Sequence, residues 1–253
     1  MPNTISAKDF FNSISESYKA KYEGKSRFHS YFFSERLEKS AGNLHVGGLK
    51  ILDVGAGTGD LYDFLLLKNS NFIYTATDVA EGMLANSRIP IKLRIIGKLN
   101  ELQLPYENYD QIFFLGVTTY LTHEELKSHL KLFRNLLADC NSELVISFTN
   151  KDCIDGYLRI LLQPIIRLLA QKNSVLSQDF LIKRYRIVDI LKLMKEMDLE
   201  IKETLWLNHT VFPFNLLLQK GSIWLAKKFD KITNKRLLSY LSSDFLVKVK
   251  LNN

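Results

Sequence analysis

The chain has 253 residues, 46% of them hydrophobic, with 34 Lys/Arg against 27 Asp/Glu and 2 cysteines. This suits one large domain or a core with sizeable insertions, and it excludes a disulfide framework; Cys140 and Cys153 stand in no metal-ligand spacing either. No apolar run approaches the roughly 18 residues of a membrane-spanning helix, and the opening MPNTISAKDFFNS lacks the basic-then-apolar pattern of a secretion signal, so a cytoplasmic, reducing setting is expected.

The positive charge is uneven. Residues 51–150 carry 8 Lys/Arg against 12 Asp/Glu, whereas residues 211–253 carry 8 against 2. The basic character therefore belongs to the tail, where it can meet phosphate, nucleic acid or an anionic membrane, or simply form a solvated face.

In chain order, residues 1–44 read as an N-terminal helical lid. Ser6 and Asp9 mark a helix start, and Phe10, Phe11, Ile14 and Tyr18 follow at helical spacing. A second helix is expected over 28–39, and SAGNLHVGG then breaks the pattern. The core is expected over 45–253. Leu49–Val54 is a first strand, 59–68 a helix with Leu61, Phe64, Leu65 and Leu66 inward, and NFIYTATD a second strand ending at Asp78. A short helix AEGMLANS, a strand IKLRII and a strand DQIFFLG come next. THEELKSHLKLFRNLLADC is a helix capped by Thr122 with Glu125 three residues on, and SELVISF is a fifth strand. Helical insertions are expected at about 153–183, kinked at Pro164, and at 211–242. Between them RIVDILKLMKEMDLEIKETLWL restores the helix–strand rhythm, and DFLVKVKL closes the chain. This alternation implies an α/β doubly wound sheet with helices on both faces.

The stretch ILDVGAGTGD places Asp53, Gly55, Gly57 and Gly59 in the turn leaving the first strand. Glycines there allow a tight turn and a close ligand. Asp78 then stands at the end of the second strand, where a carboxylate can accept hydrogen bonds from ribose hydroxyls. The glycine spacing is one residue shorter than a dinucleotide fingerprint, and Asp53 would repel a pyrophosphate. An acid at that place suits an ammonium group or a sulfonium, so the pattern points to a cationic amino-acid nucleoside.

ILDVGAGTGD, TATDVAEGML and YDQIFFLGVTTYL, in this order, resemble the cofactor motifs of class I S-adenosylmethionine-dependent methyltransferases. The resemblance covers about residues 45–150, and EIKETLWL and DFLVKVKL resemble that family's last two strands. It implies a seven-stranded, mostly parallel sheet with an antiparallel last strand, a Rossmann-like methyltransferase fold, with S-adenosyl-L-methionine as cofactor. Carried over, Asp53, Gly55, Gly57 and Gly59 would line the methionine moiety, Asp78 would bind the ribose, Val79 would lie against adenine, and Leu115 would touch the cofactor from the other side. One position departs: where the family often has an acid accepting from the adenine amine, this chain has Lys98. Asn100 or the backbone at Leu99 would take over.

For the acceptor, His209, after the sixth strand, is the first choice as a base, with an exposed loop histidine as the competing reading; Tyr22 and Tyr18 resemble the tyrosines of the family's lid helices. Tyr120 and Thr119 end the fourth-strand loop. The Asn/Asp-Pro-Pro-Tyr of amine-methylating nucleic-acid enzymes is absent, since Leu115-Gly116-Val117-Thr118 stands there, and no cysteine sits where carbon methylation of cytosine would need one. A small-molecule acceptor, such as a sugar or lipid-linked saccharide, is therefore expected, methylated by direct in-line displacement. The apolar and basic stretch at 212–241 fits a lid, a homodimer interface or a peripheral contact with the inner face of a membrane. A methyltransferase-like interaction module without catalysis, and an NAD-dependent oxidoreductase, are the alternatives.

Overall fold

The computed structural model describes residues 6–22, 27–162, 182–209, 214–232 and 234–252. Two helices come first, α1 (Ala7–Tyr22) and α2 (Arg27–Ala41). The core runs β1 (Lys50–Val54), α3 (Asp60–Leu66), β2 (Ile73–Asp78), α4 (Glu81–Ala85), β3 (Arg94–Ile96), β4 (Gln111–Phe114), α5 (His123–Leu136) and β5 (Glu143–Thr149). It continues with α6 (Ile154–Leu161), α7 (Ile187–Glu196), β6 (Leu199–Leu207), α8 (Phe214–Leu217), α9 (Gln219–Phe229), α10 (Lys235–Leu241) and β7 (Asp244–Leu251).

The seven strands form one sheet in the order β3-β2-β1-β4-β5-β7-β6. β7 runs antiparallel to both of its neighbours, and the other ladders are parallel. The chain winds outward from β1 to β3, then crosses to β4. That reversal opens a crevice at the carboxyl ends of β1 and β4.

Period-2 alternation assigns the strand residues to two cores. Leu52, Ile112, Phe114, Leu144, Ile146 and Phe148 join Leu130 and Phe133 of α5 on one face. Ile51, Phe113 and Val145 join Leu61 and Leu65 of α3 on the other. The start of α5 follows from its sequence: Thr122 and Glu125 form a reciprocal capping box. Ser6 likewise accepts from the Asp9 N–H at 3.2 Å at the start of α1. α1 rests on α4 at Gly82, whose N–H donates to Asn12 Oδ1 at 2.9 Å. A Cβ there would meet Ser15 Oγ at 2.8 Å, so glycine is what lets the two helices touch.

Three sequence expectations need correction. Leu66 is 39% exposed, and Tyr62 takes the inward place instead. Residues 91–93 form a 3-10 turn rather than strand, following the extended Pro90, and β3 is only three residues long. The helix start falls at Asp60, because Gly59 is left-handed (φ 79°) and stands outside it. α6 and α8 to α10 fall within the two segments read as insertions, whereas residues 163–181, with Pro164, lie outside the described residues.

Candidate active site

The crevice is a cavity of about 970 Å³. Its floor is the glycine turn. Gly55 and Gly57 have φ of 74° and 56°, conformations that favour glycine. A Cβ on Gly55 would collide with Val117 Cγ2, so the turn and the loop after β4 approach too closely for any side chain there. Gly59 does not line the cavity. It packs instead against Ile89 and Ser87, so its glycine serves the turn into α3.

Two acids flank the turn. Asp78 accepts from the Gly57 N–H at 2.8 Å through Oδ2 and from the Ala80 N–H at 2.8 Å through Oδ1. Burial raises its pKa, against the pull of these N–H groups. Each carboxylate oxygen has a second lone pair, so ligand hydroxyls can still be accepted. Asp53 is 3% exposed and accepts from the Tyr74 hydroxyl at 2.6 Å. Burial pushes its carboxyl up to about 7; the Tyr74 bond opposes this and the Asp78 charge adds to it. A buried acid in that state gains a great deal from an arriving cation.

Val79, Leu99, Asn100 and Leu115 all line the cavity. Lys98 does too, but its side chain is 71% exposed and leans to Glu101 at 3.9 Å. Two further lining residues carry no mark in the motifs. His129 stacks on Phe114 with ring centroids 5.4 Å apart, and its Nδ1 is held by the Glu125 carbonyl at 2.7 Å. Arg36 of α2 lies 4.5 Å over the Phe33 ring, and its Nη1 is 2.9 Å from where a Gly116 Cβ would be. Among the described residues its guanidinium has no hydrogen-bond or ion-pair partner. A cationic helix residue 19 positions before a glycine turn is the signal that could have found it.

The roof comes from α1 and the loop after β4. Phe11, Tyr18, Thr119 and Tyr120 line it, and Phe11 meets Tyr120 edge-on at 5.2 Å. The side chain of Tyr22 lies outside the described residues.

His209 is not at the site. It is 2% exposed and absent from the cavity wall. Its ring sits between Asp230 (Nε2 to Oδ1, 3.0 Å) and Ser242 (Nδ1 to Oγ, 2.8 Å), both brought by the second insertion. Expecting a base there overlooks this cover. Glu35, His209 and Asp230 do bring metal-ligating atoms within 4.8 Å of one another. The Lys39 ammonium already occupies that position, 2.8 Å from Glu35, 2.6 Å from Asp230 and 2.8 Å from the Trp206 carbonyl. The cluster is an internal ion pair that ties α2 to α9.

Residues 52–141, which contain the glycine turn and both acids, match a family model described as a methyltransferase domain. Over these residues the chain carries a methyltransferase domain. No curated protein matches the sequence. Among solved structures, the methyltransferase resembles magnesium protoporphyrin IX methyltransferase from Synechocystis with bound SAH. Identity is 14%, TM-score 0.61, and 97% of each chain is covered. A SAM-dependent methyltransferase from Archaeoglobus fulgidus is 15% identical over 92% of this chain and 99% of that one, TM-score 0.59. One from Thermotoga maritima, described as a possible histamine N-methyltransferase, is 12% identical over 95% and 98%, TM-score 0.59. At these identities the likeness establishes the Rossmann-like fold. The domain match favours a methyltransferase over the oxidoreductase.

Proposed function

We propose that the methyltransferase moves the methyl group of S-adenosylmethionine to a small-molecule acceptor by in-line displacement. The observation that carries this reading is the pair of acids beside one glycine turn, Asp53 buried and Asp78 fastened to Gly57. When bound, the sulfonium supplies a methyl group with a good leaving group behind it. The chain's part is then mainly positioning and exclusion of water.

Each residue has a place in this reading. Asp78 accepts the ribose hydroxyls and Asp53 faces the methionine ammonium, while Gly55 and Gly57 admit the chain between them. Arg36 holds the methionine carboxylate, since it sits over Gly116 and Asp53 senses its charge. Val79 and Leu99 flank adenine. Asn100 and His129 offer the polar contacts that an acid at Lys98 would have made. A cavity of about 970 Å³ leaves room for an acceptor beside the cofactor. Calorimetric titration with S-adenosylhomocysteine and with NAD tests the reading. The first binds and the second does not; the reverse result refutes it.

A second feature bears on the acceptor. Leu217, Leu218, Trp224 and Leu225 of α8 and α9 are all exposed, beside Lys220, Lys227, Lys228 and Lys231. Lys228 Nζ lies 4.6 Å over the Trp224 ring. Among the described residues no helix is long and apolar enough to cross a membrane. An apolar face ringed by lysines suits contact with an anionic bilayer, and with it a lipid-linked saccharide as acceptor. Sedimentation with phosphatidylglycerol vesicles checks this. It weakens when Lys227, Lys228 and Lys231 become glutamate; unchanged sedimentation rejects the contact and leaves a lid or dimer face.

A further inference from the structure

The parallel strands bring their last residues to the crevice. β7 is reversed, so it brings its first. Asp244 opens β7, pairs in register with Thr149 at the end of β5 and with Leu207 at the end of β6, and lines the cavity. It lies beyond β4 and β5 from β1, on the side away from Asp78, β2 and the adenine end. This is the part of the cavity left for the acceptor.

The surroundings there are polar. Thr149 Oγ1 donates to Asp244 Oδ1 at 3.1 Å, and the Asn208 side chain also donates to it. A carboxylate can accept about four hydrogen bonds, so acceptor capacity remains. Ser243 also lines the cavity, and its buried Oγ has no hydrogen-bond partner among the described residues. A buried hydroxyl without a partner is costly, and a polar ligand beside it would remove the cost. Asn150, Asp155 of α6 and Arg184 also line the cavity, and the Arg36 charge acts on both Asp244 and Asp53. Burial pushes the Asp244 carboxyl up to about 6, against the charge of Arg36. A carboxylate raised in this way accepts a proton better than an ordinary aspartate.

The geometry points to the β5–β7 junction as the acceptor subsite, with Asp244 as the carboxylate that takes the proton from an acceptor hydroxyl. This rests on the cofactor reading above. The acceptor oxygen uses a lone pair to form the new C–O bond. The C–S bond electrons leave with sulfur, giving a neutral thioether, and the hydroxyl proton passes to an Asp244 oxygen and later to water. The products are a methyl ether and S-adenosylhomocysteine. Ser243 orients the hydroxyl-bearing end of the acceptor.

The test needs no acceptor. Sinefungin replaces the sulfonium and its methyl with a carbon bearing an amine, so its cation points where the methyl leaves. Calorimetry compares it with S-adenosylhomocysteine in the parent and in Asp244→Asn. In the parent sinefungin binds more tightly. In the variant that preference falls about tenfold, as expected for losing one nearby charge, while S-adenosylhomocysteine binds as before. Should the amide variant not fold, Asp244→Ser is read in the same way. A preference unchanged by either substitution, or absent in the parent, overturns the proposal. So does a variant that loses S-adenosylhomocysteine, since Asp244 then supports the cofactor pocket instead. A parent protein that does not bind S-adenosylhomocysteine overturns the cofactor reading itself.

Discussion

The Gly57 N–H donates to Asp78 Oδ2 at 2.8 Å, so the glycine turn and the strand-end acid are one unit. The same carboxylate also holds the Ala80 N–H at the entry to α4. Asp78 therefore shapes the loops that would hold a nucleoside as well as offering oxygens to it.

Asp53 is the clearest case of a site residue held against its own stability. Its carboxyl is raised to about 7, above its unfolded value. In that case the folded state binds the proton more tightly, and stability falls as pH rises from about 4 to 7. Asp53→Asn is predicted to raise the unliganded protein's stability at pH 8 by about 1–3 kcal/mol. Thermal melts measure this. The same variant should bind S-adenosylhomocysteine at least tenfold more weakly, and parent affinity should decline as pH falls below about 7.

Gly55 is constrained twice, by φ 74° and by Val117 Cγ2, which stands where a side-chain carbon would go. Gly55→Ala should cost about 1–3 kcal/mol in urea denaturation. Val117→Ala in the same chain should recover part of that loss, because it relieves the collision and leaves the dihedral cost.

Much of this is legible in sequence, and the reasons are physical. The glycine turn, Asp78 and the capping box at Thr122 depend on neighbours close in the chain, so their residues announce them. His209 misleads because Asp230 and Ser242, which cover it, stand 21 and 33 positions away. Nothing local distinguishes a covered strand-end histidine from an open one. Spacing groups Gly59 with its neighbours, although its φ serves the start of α3. Asp244 is within reach of sequence reasoning: once the last strand is expected to be antiparallel, its first residue must stand at the ligand edge.

Lys39 closes the second insertion onto α2 through Glu35, Asp230 and the Trp206 carbonyl. Glu35 has a side chain only 4% exposed, so removing its cation leaves a buried acid poorly paired. Lys39→Met is predicted to lower stability by about 2–4 kcal/mol, measured by urea unfolding. Added zinc should not restore it beyond what the parent gains.

Phe11 belongs to the roof. It touches Tyr120 at 5.2 Å and Tyr18 at 6.0 Å, and it is only partly buried. Phe11→Ala should change the melting temperature by only a few degrees. It should speed S-adenosylhomocysteine dissociation about tenfold in stopped-flow displacement, because the roof then sheds water less well.

The most direct measurement is the affinity of Asp78→Ala for S-adenosylhomocysteine. The account requires a dissociation constant at least a hundredfold weaker than the parent's in calorimetry at pH 7.5. An unchanged constant in a folded variant would contradict it.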